Sequence, residues 1–253
     1  MAYLLQNKNT GIRGSIEFIV VCFIVFIGAV SATVYFTTTM GDEMEMPGGW
    51  KMSMMWMRMP GQTWFLSAVG FLMMWLAMMV AMMMPSALFS FLKTQRQWRS
   101  LCYMSAGYFA VWFIAGIVAY IPGAWFNDAT MYSLSLSRTV PLLSGITLMV
   151  AGAFQFTSWK MKHLMQCRST FGCAGSCIQH ESSFRIGCRQ GLSCCVCCSS
   201  LMIVQLILGI MNPFVMLLIT GVIAAEKLLP RPKIVARIAG AVAIIAGLVL
   251  VVQ

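Results

Sequence analysis

Charge is what this sequence has least of. Asp, Glu, Lys and Arg make up only 9% of its 253 residues, against about a quarter in soluble domains. With 60% hydrophobic residues beside that scarcity, a soluble globular fold is excluded. No ATPase motif occurs, and the stretches between apolar runs are too short for a nucleotide-binding domain. Any ion movement is therefore passive or driven by the partner that removes the ion. Internal repeats, low-complexity linkers and soluble domains are also missing. Histidine occurs twice, at His163 and His180.

What the chain has instead is apolar sequence in membrane-crossing lengths. About 20 residues cross the hydrocarbon core. Seven spans are predicted, at about 16–37, 64–91, 103–125, 139–158, 192–211, 213–229 and 234–253. Met211-Asn212-Pro213 breaks the block that holds the fifth and sixth, because Pro gives no helical hydrogen bond and restricts the residue before it. The expected fold is all-α, a polytopic membrane bundle of about seven helices in one membrane domain, 1–253. Its longest connections are an outer methionine-rich loop, 38–63, and a cytoplasmic Cys/His loop, 159–191. The first run also has the marks of a signal peptide, with basic Lys8 and Arg13 and small residues at Ala29-Val30-Ser31. The apolar stretch continues through Val34, Tyr35 and Phe36, which favours a retained anchor.

Positive charge orients this bundle. Lys8 and Arg13, then Lys93, Arg96 and Arg99, then Lys160, Lys162, Arg168, Arg185 and Arg189, then Lys227, Arg231, Lys233 and Arg237 all fall on one side. Only Lys51, Arg58 and Arg138 fall on the other. The crowded side is cytoplasmic by the positive-inside rule. That predicts a multi-pass protein of a bacterial inner membrane, with a cytoplasmic N-terminus and a periplasmic or external C-terminus. The net charge of +10 follows from this topology and gives no reason to invoke nucleic acid. The lipid bilayer is the first partner.

Sulfur is abundant. Fifteen of the 24 methionines lie between residues 40 and 84. Met40, Met44, Met46, Met52, Met54, Met55, Met57 and Met59 fall in the outer loop; Met73, Met74, Met78, Met79, Met82, Met83 and Met84 fall in the second span. Met74, Met78 and Met82 recur every four residues and so share one helix face. Thioether sulfur is a soft, uncharged donor that selects Cu(I) over harder ions. Unlike a thiolate it needs no deprotonation, which suits an oxidising exterior. Packing is the rival reading for the second span, since Met fills irregular cores. It suits the outer loop less well, because turns and charges prevent full burial there.

Thiols occupy the opposite side. Cys22 and Cys102 stand singly in apolar surroundings, the ordinary place for a small buried residue. Cys167, Cys173, Cys177, Cys188, Cys194, Cys195, Cys197 and Cys198 are clustered. Paired disulfides are rare in a reducing cytosol, so grouped cysteines there point to metal or redox chemistry. Cys194/Cys197 and Cys195/Cys198 form two overlapping C-x-x-C pairs, and positions three apart are neighbours on a helix. His163 and Cys167 share one face of the expected extension of the fourth helix, and Cys173, Cys177 and His180 supply further donors. Zinc is the alternative to copper at this Cys/His cluster, but it asks for four closed ligands, and the adjoining pairs lack the separation of a zinc ribbon. Palmitoylation or small-residue packing is the non-metal reading. Glu226, beside Lys227, is read as part of a boundary ion pair.

Four ordered segments carry a family resemblance: "MMWLAMMVAMMMPSAL" (73–88), "AGAFQFTSWKMKHLMQCRS" (151–169), "GCRQGLSCCVCCSSLM" (187–202) and "GIMNPFVMLLITGVIAAEKLLP" (209–230). Together they resemble the domain of unknown function 2182 family, described as predicted metal-binding integral membrane proteins. The resemblance implies a bacterial inner-membrane protein that binds metal, and no particular activity. The family pattern has fewer thiols where this chain runs from Arg189-Gln190-Gly191 into four cysteines.

The resulting expectation is a non-enzymatic membrane protein that binds a soft metal, Cu(I) first, for uptake, trafficking or delivery to cuproenzyme assembly. Its partners would be the metal ion and a copper chaperone or cuproenzyme, in a homo- or hetero-oligomer. A membrane thiol–disulfide enzyme is the second reading and leaves the methionines unexplained. A structural subunit whose sulfurs only pack is the third.

Overall fold

The computed structural model describes residues 2–39, 43–46, 50–53, 63–94, 97–169, 182–209 and 212–252. The chain is helical, as its apolar runs require: a backbone in lipid must satisfy its own hydrogen bonds. In order, the elements are α1 (Ala2–Thr39), β1 (Glu43–Met46), β2 (Trp50–Ser53), α2 (Trp64–Thr94), α3 (Trp98–Tyr132), α4 (Leu134–Phe154), α5 (Ser158–Ser169), α6 (Ser183–Gly209), α7 (Pro213–Leu228) and α8 (Pro232–Val252). The only strands among the described residues form an antiparallel hairpin inside the expected outer loop. Its register sets Met44 opposite Met52 and Glu45 opposite Lys51.

Among the described residues, six helices are long and apolar enough to cross a membrane: within Ser15–Thr39, Trp64–Leu92, Trp98–Tyr132, Ser137–Phe154, Ser183–Leu208 and Pro232–Val252. The expected sixth span, 213–229, is the one outside this set: it forms α7, with 16 residues. At 1.5 Å per residue it is about 24 Å long, short of the roughly 30 Å hydrocarbon core. Asn212 caps its start, accepting from the N–H groups of Phe214 and Val215, with Pro213 in the first turn. These are the preferred residues at those positions. A second correction concerns the fourth helix, which does not continue through His163 and Cys167. It stops at Phe154, and the turn around Gln155–Thr157 starts the separate α5.

Two close helix seams fix the frame. On α6, a Cβ at Gly191 would lie 2.9 Å from the Tyr108 carbonyl oxygen of α3, and Gly187 meets the Met104 backbone still more closely. Only hydrogen fits there, so α3 and α6 approach backbone to backbone, as small residues permit in membrane bundles. Gly152 of α4 and Gly240 of α8 make an equivalent contact, each with the other's carbonyl oxygen. Against this frame α2 buries Phe71, Met74, Trp75, Met78, Met79, Met82 and Met83. The Trp75 indole donates to the Trp112 carbonyl of α3 at 3.0 Å.

Candidate metal-transfer site

A polar and sulfur-rich seam joins α2 to α6, which run antiparallel. Near the C-terminal end of α6, Gln205 Nε2 donates to Met78 Sδ at 3.3 Å. At the opposite end Gln190 donates to Ser90 in a short hydrogen bond. Between them, five residues or about 7.5 Å along α2 from Met78, lies Met83, fully buried. Gln190 Oε1, Ser200 Oγ and Gln205 Oε1, all on α6, are buried with no hydrogen-bond partner among the described residues. Buried polar atoms are ordinarily paired; further unpaired ones occur on α3, at Trp112 Nε1 and Asn127 Oδ1, and at Gln155.

Beside Met83 the end of α7 inserts Lys227. Its Nζ donates to Cys194 Sγ at 3.0 Å and Ser86 Oγ at 3.2 Å, and lies 3.7 Å from Met83 Sδ. The Tyr108 hydroxyl also donates to Cys194 Sγ, at 3.0 Å. Cys194 thus receives two donors from different helices. Around it sit Cys197, whose thiol donates to the Cys194 carbonyl at 3.3 Å, and Cys198, whose sulfur is 3.6 Å from that of Cys197.

Helix α5 closes this cluster. Lys160, Leu164 and Cys167 are buried at i, i+4 and i+7, one face of a helix whose composition is otherwise polar. Cys167 hydrogen-bonds with Cys194, and this bond first, then burial, pushes the Cys167 thiol up to about 12. Lys160 Nζ donates to both carboxylate oxygens of Glu226, at 2.9 and 3.1 Å, and both side chains are buried. Arg168 donates to the carbonyls of Glu226 and Leu229, at 3.0 and 2.6 Å. A cation there satisfies carbonyls left open at a helix C-terminus. Helix α5 packs against both α6 and α7.

The structure sorts the residues expected from sequence. Cys167, Cys194, Cys197 and Cys198 come together and are buried. Cys195 is half-buried outside this set, and Cys188 packs where α6 meets α3 near Gly107. His163 does not join: its ring lies edge-on to Trp159, centroids 4.5 Å apart. Met74, Met78 and Met82 are buried as one face requires, whereas Met73 is 61% exposed. Met54, Met55, Met57, Met59, Cys173, Cys177 and His180 lie outside the described residues, and Met44, Met46 and Met52 are described only by their strand register.

Sequence reasoning missed Lys227, Tyr108, Met83 and Ser86 at the centre of the site, and gave Glu226 the wrong neighbour. The available signal was Lys227 itself. An ionisable residue at the end of an apolar helix is a functional candidate, but its adjacency to Glu226 suggested a simple pair. Residues i and i+1 do not face each other on a helix, and the two point to different partners.

Among the described residues, no three or more His, Cys, Asp or Glu converge as a closed metal cage would need. Cys194 hydrogen-bonds with each of Cys167, Cys197 and Cys198, an open cluster and not a closed cage. That geometry does not support tetrahedral zinc, which takes four ligands. A helical membrane bundle whose buried thioethers lead to buried, clustered thiols has the donor chemistry of a soft-metal handling protein. A family model described as PpoB2, copper chaperone, matches residues 72–250, and the chain belongs to that family. The match does not carry the name of the domain of unknown function 2182 family, but it agrees with the metal-related role that resemblance implied. No curated protein and no solved structure matches the chain. A copper-related role in a chain with six membrane-length apolar helices is therefore established at the level of the family.

Proposed function

We propose that this protein carries Cu(I) in a bacterial inner membrane and hands it to a cuproenzyme or a second copper carrier. The outer methionines, including Met52, Met54, Met55, Met57 and Met59, collect the ion. Met78 and Met83 pass it along α2, and Cys194 with its neighbouring thiols receives it at the cytoplasmic end. The observation that carries this reading is the junction of Met83, Lys227 and Cys194, where the thioether row meets the thiol cluster. Thioether and thiol donors both suit Cu(I).

The test is titration of the reduced, detergent-solubilised protein with Cu(I) against a chromophoric chelator. Wild type is expected to retain about one tightly bound ion per buried thiol cluster. A variant with Cys167, Cys194, Cys197 and Cys198 all changed to Ser should lose it. Unchanged stoichiometry in that variant would move the site elsewhere.

A further inference from the structure

Two thiols outside the transfer path come together where α1 meets α3. Burial on α1 is confined, among its described residues, to one stripe that holds Phe18, Cys22 and Thr33, with Phe26 packed against the core. Ile19, Val20, Phe23 and Ile24 beside it are exposed. The Phe18 ring meets the Trp98 ring of α3 edge-on, centroids 5.9 Å apart. Cys22 lies four residues after Phe18, and Cys102 lies four residues after Trp98. That spacing keeps each cysteine on the face of its aromatic neighbour, about 6 Å further along the helix. With one crossing, α2, between them, α1 and α3 run in the same direction. The ring contact at one level therefore sets Cys22 beside Cys102 at the next. The two thiols lie within electrostatic reach of each other, and both are free. The pair is separate from the thiols around Cys194. Met104 of α3 meets α6 at Gly187, and Cys102 is about 200° around the helix from it. Helix α1 also lies outside residues 72–250, which the copper chaperone model matches.

From this juxtaposition we propose that Cys22 and Cys102 form a second soft-metal site, in which one Cu(I) bridges α1 to α3. Thiol sulfur selects soft ions such as Cu(I), and Cu(I) is satisfied between two sulfurs, whereas zinc takes four ligands. Loading forms two S–Cu bonds and releases the two thiol protons to water. The resulting complex carries one negative charge. Arg99, three positions before Cys102 and so its neighbour on the α3 surface, supplies a positive charge beside it. Because the buried part of α1 is a single stripe, the bridging ion clips a peripheral helix to the core. This site shares no residue with the transfer path.

The experiment uses the full chain, solubilised and reduced, with Cu(I) added or withheld. Both samples are alkylated with N-ethylmaleimide and read peptide by peptide by mass spectrometry. In wild type, Cu(I) should slow the alkylation of half-buried Cys102 by about tenfold or more. In Cys22→Ala that protection should shrink to less than about twofold, and the chain should bind one Cu(I) fewer. Cys102→Ala, at the less buried position, should lose the same single ion, which keeps the test decisive if Cys22→Ala does not fold. Were the two thiols there only to pack, Cys102 would react equally fast with and without Cu(I), and that result overturns the proposal. Protection that survives Cys22→Ala overturns it too, as does undiminished stoichiometry in either folded variant. The two sites fail separately. Wild type that protects Cys102 but leaves Cys167, Cys194, Cys197 and Cys198 as reactive as before removes the transfer path alone. Protected inner thiols beside an unprotected Cys102 remove only this bridge.

Discussion

Lys227 Nζ lies 3.0 Å from Cys194 Sγ, although the two are 33 positions apart and enter the site from different helices. Lys227 lies in the last turn of α7, and Cys194 lies at the middle of α6. Lys227 Nζ bridges Met83 of the thioether-bearing helix and Cys194 of the α6 cluster.

Cys194 and Cys195 are adjacent, chemically identical and differently placed. Cys194 is buried and receives two hydrogen bonds, while Cys195 is half-buried away from the cluster. Cys194→Ser should lower Cu(I) affinity by about 100-fold or more, as expected when a soft ligand becomes a hard one. Cys195→Ser should change it by less than about threefold. Equal losses in the two variants, read by chelator competition, would show that the structure has assigned the wrong thiol.

Met83→Leu conserves volume, so its cost in stability should stay below about 1.5 kcal/mol. It removes the thioether that adjoins Lys227, and on the proposed path the rate at which Cu(I) reaches the thiols should fall by about tenfold. Met73→Leu, on an exposed face of the same helix, should leave that rate unchanged. Stopped-flow transfer of Cu(I) to reduced protein in nanodiscs measures both. A silent Met83 variant would reduce the methionine row to packing.

The buried pair of Lys160 and Glu226 fastens α5 to α7. Glu226→Gln leaves an ammonium buried without its carboxylate and should destabilise the protein by about 3–5 kcal/mol. The double change Lys160→Met with Glu226→Met removes both charges and should recover most of that loss. Thermal unfolding in detergent follows the series. A double variant no more stable than Glu226→Gln would mean that α5 is held mainly by other contacts.

Much of this was legible in the sequence because it depends on local period and composition. Apolar runs gave the membrane-length helices, and the break at Met211-Asn212-Pro213 located the start of α7. The four-residue spacing of Met74, Met78 and Met82 correctly put them on a buried face, as any 3.6-residue helix must. The grouping of Cys194, Cys197 and Cys198 was equally a matter of position along the chain, although α6 starts at Ser183 and so carries them at its middle and not at its entry.

Partner choice was not legible, for a physical reason. Glu226 and Lys227 are adjacent in sequence but diverge by about 100° around α7, so each meets a different helix: Glu226 turns to Lys160, Lys227 to Cys194. Cys167 joined the thiols, and His163, four positions away, turned to Trp159. The sequence by itself determined that this is a sulfur-rich helical membrane protein with thioethers and thiols in separate segments. Tertiary structure alone decided that the two sets meet, and that an ammonium stands where they do, because in a low-dielectric interior every buried charge takes the partner that packing brings within reach.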